Sequence, residues 1–226
     1  MAAIEKDGRQ LKYVPEDLKT AKNADDIPLW LAAVRQNSFA LEFVSNDLKT
    51  PELCLEAVRK DGYATTLQYV DKNLQTSEIL RSAIMGADGW RAGYVLSLAA
   101  ETLKTPELCR LAAQKSGGAL ASIPDALRTA EICRLAVQDE GFYLKDVPEE
   151  LRTPELCRLA VEKNGDAIIY VPNDLLTPEL CLAAVQQSRL AIRKIPPYLR
   201  SAEVWHTART VTGSGVYSNS KFNHEL

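Results

Sequence analysis

Five cysteines are the residues here with the widest chemical range: Cys54, Cys109, Cys133, Cys157 and Cys181 could hold a metal, close disulfides or act as nucleophiles. Their spacing argues against all three. Each stands four residues after a threonine, the last four recur every 24 residues, and no pair has CxxC spacing. Residues at one repeated helical position point the same way, about 8–10 Å apart between neighbouring helices, which is further than a disulfide reaches. They read as small apolar core residues, one per repeat. An odd, unpaired set also suits a reducing compartment.

Other catalytic material is thin. His206 and His224 are the only histidines, so a Ser-His or Cys-His pair has little to draw on. The stretch Gly86-Ala-Asp-Gly89 lacks the lysine and spacing of a phosphate-binding loop. Glu52, Glu78, Glu107, Glu131, Glu155, Glu179 and Glu203 all recur two residues after the same capping position, as solvated first-turn carboxylates. The sequence predicts no catalytic residue, no metal site, no cofactor, and a protein that is not an enzyme.

Two features offer binding instead. Arg81, Arg110, Arg134 and Arg158 each lie five residues after a cap, and Arg128 and Arg152 immediately before one. Stacking would align them as a basic ridge for an acidic partner. The competing account pairs Glu107 with Arg110, Glu131 with Arg134 and Glu155 with Arg158 along single helices, at a few tenths of a kcal/mol each. The second feature is an insertion, Gly86 to Tyr94, carrying Trp90, Arg91 and Tyr94. Insertions in repeat arrays project from one face, and Trp, Tyr and Arg dominate interfaces. Against this, Trp90 could fill a gap at a kink.

The elements that must position these residues come from a repeat. Thr-Pro-Glu-Leu-Cys stands at Thr50, Thr105, Thr153 and Thr177, Thr-Ala-Glu-Ile-Cys at Thr129, and degenerate copies at Asp26, Thr76 and Ser201. A hydroxyl or carboxylate at the first place caps a helix, and proline next to it needs no hydrogen-bond partner there. Apolar residues at the third, fourth, seventh and eighth places beyond the cap make one stripe of a helix of about 11 residues. Glycine (Gly62, Gly117, Gly141, Gly165) is expected to stop it from just beyond its end. A shorter helix follows, exemplified by Leu144 and Val147, ended by Pro124, Pro148, Pro172 or Pro196, and a leucine packs back before the next cap. Between Val95 and Ala100 a longer second helix without that proline is expected. The fold class predicted is all-α, an α-solenoid of about eight stacked helical hairpins. Residues 1–10 form a polar segment, 11–211 a single repeat domain, and 212–226 a disordered tail.

The Leu-Lys-Thr-Pro-Glu-Leu-Cys signature, with its Ala-Val, glycine and Tyr-Val-Pro element, resembles the repeat family catalogued as domain of unknown function 4116, over residues 11 to 210. The resemblance implies a bacterial origin and carries no activity or catalytic residue. Composition narrows the partner. A net charge of −3 supplies no general field for nucleic acid, and base-stacking aromatics are not regularly placed. No apolar run approaches the roughly 20 residues of a membrane span, and no secretory signal opens the chain. The expectation is a cytoplasmic protein (or an exported effector) that binds another protein, with nucleic-acid binding along the arginines as the alternative. Partner identity and oligomeric state are not encoded legibly.

Overall fold

The computed structural model describes residues 7–15, 18, 28–61 and 64–211. The α-helices among them are α1 (Leu29–Gln36), α2 (Pro51–Asp61), α3 (Ser77–Gly86), α4 (Arg91–Leu98), α5 (Pro106–Lys115), α6 (Ala130–Asp139), α7 (Pro154–Lys163), α8 (Pro178–Gln187) and α9 (Ala202–Thr210). The expected caps form: Thr50, Thr76, Thr105, Thr129, Thr153, Thr177 and Ser201 each accept the N–H three residues on, at 3.2–3.4 Å. Asp26, Gly62 and the tail with His224 lie outside the described residues. At the first repeat, helix α1 starts at Leu29 with Pro28 as its cap, making no side-chain bond.

The second half of each repeat is a 3-10 helix, not an α-helix. Six residues such as Gly141–Asp146 lie between the end of one helix and an extended valine or isoleucine, Val147 here. That is too short for α-helical bonding to propagate, so the tighter turn is used. Helix α4 is the exception: the longer second helix expected over Val95–Ala100 forms, but it begins at Arg91 inside the insertion and ends at Leu98. The sequence reading missed a third element: one turn of 3-10 helix follows each short helix, as at Asp125–Leu127 and Glu149–Leu151.

Contacts group the chain into two compact units, residues 1–136 and 137–226, where the periodicity had suggested one domain. Within the first, α1, α2, α3 and α5 pack in sequence as one layer. Gly8–Tyr13, Ser38–Phe43, Thr65–Tyr69, α4 and Gly117–Ser122 form the other. The array therefore begins at Gly8, slightly before the predicted boundary. Within the second, α7, α8 and α9 back the short helices Gly141–Asp146, Gly165–Tyr170 and Arg189–Arg193. Both units show the all-α repeat-solenoid packing the periodicity predicts. The core between layers takes the helix stripes from one side and Leu11, Leu41, Leu67, Leu120, Leu144 and Ile168 from the other, all at most 2% exposed.

Glycine has a different purpose from the one expected. Gly141 and Gly165 open the short helices without a positive φ. A Cβ on Gly141 would lie 2.1 Å from the carbonyl oxygen of Ala160, and one on Gly165 2.2 Å from that of Ala184. Glycine at these places lets the next repeat close in.

The basic residue before each cap also proves structural. Arg152 donates through Nε to the Val147 carbonyl (2.9 Å) and through a terminal nitrogen to the Tyr170 carbonyl of the next repeat (2.8 Å). Arg128 and Arg200 reach the Ile123 and Ile195 carbonyls in the same way, and Lys49 reaches Tyr69. Gln75, buried at the same place, bonds the Leu98 carbonyl and the Ala100 N–H. Each ties one repeat to itself or to the carbonyl end of the following short helix, where a donor or cation is favoured.

Candidate interaction surface

The cysteines sit in the core as expected, all five fully buried and none in a disulfide. Burial pushes the thiols of Cys54 and Cys157 up to about 11, and those of Cys109 and Cys181 upward. Among the described residues no group of histidine, cysteine and carboxylate side chains could hold a metal. A thiol reagent should therefore label none of the cysteines at pH 7.5 until denaturant is added. Because folding raises these pKa values, the stability they contribute is complete below the ordinary thiol pKa near ~8.5 and is lost as pH climbs towards 11. Unfolding free energy should be lower at pH 10.5 than at pH 7, falling for Cys54 and for Cys157 by about 1.4 kcal/mol for each pH unit above the unfolded thiol's pKa. A rapidly labelled thiol in the folded protein contradicts this.

Arg81, Arg110, Arg134 and Arg158 are all exposed, as their place on the flank opposite the apolar stripe requires. Arg110 and Arg158 reach acids other than the glutamate three residues before them. Arg110 lies 3.7 Å from Glu131 of the following helix, and Arg158 lies 2.7 Å from Glu162, one turn forward. For Arg110 the reason is at the helix start. Glu52, Glu107 and Glu179 turn back to their own backbone N–H and to the capping threonine, bonds that lower their carboxyl pKa values. Similar exposed pairs, Arg35 with Glu56 and Arg59 with Glu78, join neighbouring long helices. Arg128 and Arg152, drawn into backbone bonds, leave the ridge. Two of the four column arginines, Arg110 and Arg158, thus stand in exposed acid–base pairs of modest energetic value.

The insertion behaves differently. Helix α3 ends at Gly86, and Gly89 takes a left-handed conformation (φ +45°) that turns the chain into α4. Arg91 pairs with Asp88 across this turn. Ala92, Val95, Leu96 and Ala99 fill the core beneath, at most 1% exposed, so Trp90 is not needed to close a gap. Its side chain stands out instead, 66% exposed. Tyr94 meets it edge-on, ring centroids 5.9 Å apart at 65°, and the Arg91 guanidinium lies 5.4 Å from its ring centroid. Met85, also exposed, precedes the turn, where Lys115 donates to its carbonyl at 2.9 Å. The structure brings Trp90, Arg91 and Tyr94 together as one cluster, with no ion pair or ring contact to the arginines of the long helices among the described residues.

Sequence reasoning missed a second set of surface aromatics. Phe142 and Tyr170, on adjacent short helices, meet edge-on with centroids 5.3 Å apart. The available signal was the recurrence of Phe39, Phe43, Tyr69, Phe142 and Tyr170 at the second and last places of the short helices, where regular aromatics had not been expected.

A family model described as Domain of unknown function (DUF4116) matches residues 1–49, 26–75, 129–176 and 153–200. The matched segments leave out residues 76–128, the stretch that carries the insertion. No curated protein and no solved structure matches this chain.

Proposed function

The chain belongs to the DUF4116 family, and from that premise we infer a protein-interaction module: a frame of helical repeats presenting a recognition cluster at Trp90, Arg91 and Tyr94. The observation that carries this reading is the exposure of Trp90 on a segment whose core is already filled without it. A large aromatic left in water gains nothing for the fold, whereas at an interface it supplies much of the binding energy. The tight turn at Gly89 and the Arg91–Asp88 pair hold the cluster in one arrangement, which lowers the ordering cost of binding. A cytoplasmic, bacterial setting belongs to the same proposal and agrees with five cysteines in no disulfide. No helix among the described residues is long and apolar enough to cross a membrane.

Comparative affinity capture from native extract tests the reading. Trp90→Ser should keep the helical signal and melting temperature of the parent while weakening capture of its principal partner by about 30-fold, the effect of losing roughly 2 kcal/mol at an anchor. An identical set of captured proteins with and without Trp90 would sink it.

A further inference from the structure

The short-helix face of the second unit carries an apolar patch set among basic residues. Gly141–Asp146, Gly165–Tyr170 and Arg189–Arg193 lie side by side there. Each turns its fourth residue inward (Leu144, Ile168, Ile192) and others outward. The outward set includes Phe142, Ile169 and Leu190, which are 38%, 56% and 45% exposed. The Lys145 ammonium lies 4.6 Å from the Phe142 ring centroid, on the flank of the Phe142–Tyr170 pair. Across residues 141–146, 165–170 and 189–194 the sequence places Lys145, Arg189, Arg193 and Lys194 against only Asp146 and Asp166. Asp166 is already engaged, 3.4 Å from Lys194 and accepting the Ser188 hydroxyl at 3.1 Å. A locally basic face thus stands on a chain whose net charge is −3.

We propose that this face docks an extended acidic segment of a partner protein, with an apolar residue at about every third position. The charge of the surface selects the acid. Its exposed aliphatic residues select the apolar positions: Ile169 and Leu190 can pack a leucine but cannot stack a base. The Phe142 ring meets Tyr170 edge-on and has an ammonium beside it, so it offers no open platform of the kind that single-stranded nucleic acid uses. Spacing supplies the register. Neighbouring helices stand roughly 8–10 Å apart, and a chain in the polyproline II form covers that distance in three residues at about 3.1 Å each, with every third side chain on the same face. One apolar side chain can then meet each short helix while the carboxylates between them meet Lys145. This surface is separate from the Trp90 cluster, so either can fail without the other.

The test is fluorescence anisotropy with the full chain and a labelled peptide of four Asp-Leu-Asp triplets. Saturable binding that weakens with added salt is expected, with at least a tenfold loss in Ile169→Ser and in Lys145→Glu and no change in Gln138→Ala. Circular dichroism and thermal melting confirm that each variant is folded. Two variants of different chemistry keep the test decisive if one melts early. Absence of saturable binding overturns the proposal, as does equal binding by Ile169→Ser and Lys145→Glu. Tighter binding of labelled oligodeoxythymidylate with the same sensitivity to both variants overturns it in favour of a nucleic-acid site.

Discussion

Gly141→Ala is expected to be among the most damaging single-methyl changes in the protein. The added Cβ would sit 2.1 Å from the Ala160 carbonyl oxygen and 3.1 Å from the Asn164 backbone nitrogen. Both belong to the end of helix α7, where the Asn164 N–H bonds that same carbonyl at 2.9 Å. Backbone held by its own hydrogen bonds cannot step aside as a flexible side chain can, so the short helix must separate from α7. Moving it would open the packing around Leu144, which is fully buried. Overpacking of this kind costs about 3 kcal/mol, and more where the obstacle is main chain. For a chain of this size the melting temperature should drop by about 6–12 °C. Gln138→Ala, on an exposed position of the preceding helix, should stay within about 0.5 kcal/mol of the parent. Thermal unfolding of the two variants side by side decides the matter; equal melting of Gly141→Ala and the parent would show that the repeats are not held this close.

Arg152→Ala should follow it in size. Its guanidinium donates to the Val147 and Tyr170 carbonyls at 2.9 and 2.8 Å and more distantly to that of Lys145. Deleting it leaves half-buried carbonyls short of donors and removes the aliphatic stem that covers them. Hydrogen bonds from a charged donor are worth about 1.5–3 kcal/mol each, and water recovers part of that where it can enter, so a loss of about 3 kcal/mol is expected. Arg152→Lys should recover roughly half, since Lys49 makes one such bond at the same place, to Tyr69 at 3.1 Å. Leu176, which stands in the corresponding position one repeat later, shows that the stem matters as well as the charge. Denaturant unfolding of Arg152→Ala, Arg152→Lys and Arg152→Leu separates the two contributions. Equal stability of all three with the parent would show that the bonds add nothing.

The helix starts from Thr50 to Ser201 that carry a capping hydroxyl were legible, because that hydroxyl, with a glutamate two residues on, satisfies a local need that no distant residue alters; the first was not, since α1 begins at Leu29 behind Pro28. The cysteines were legible for a related reason: a fixed place in a repeat fixes the direction of the side chain. The glycines were misread. Local rules assign a glycine after a helix to a left-handed cap, whereas Gly141 and Gly165 answer to a carbonyl of the following repeat. Ser38 and Arg189 open short helices at the same place with a Cβ, so the close approach is not a property of every repeat. Arg128 and Arg152 were placed on an open ridge because their backbone partners include the carbonyl ends of short helices, which sequence does not position. The Phe142–Tyr170 contact joins residues whose separation is not the repeat length, since it runs from the second place of one short helix to the sixth of the next. Trp90 was legible as an insertion, but its exposure depended on Ala92, Val95 and Leu96 filling the core beneath it.

The most direct measurement is site-specific photo-crosslinking in the cells that produce the protein, with a photoreactive phenylalanine analogue placed at Trp90 and, separately, at Gln114 on an exposed position of helix α5. The account predicts a discrete crosslinked adduct to another protein from position 90, absent or far weaker from position 114, and suppressed by excess unmodified parent protein but not by excess Trp90→Ser. No adduct at position 90 that differs from position 114, or one suppressed equally by both competitors, would contradict the assignment of Trp90 as the centre of the interaction surface.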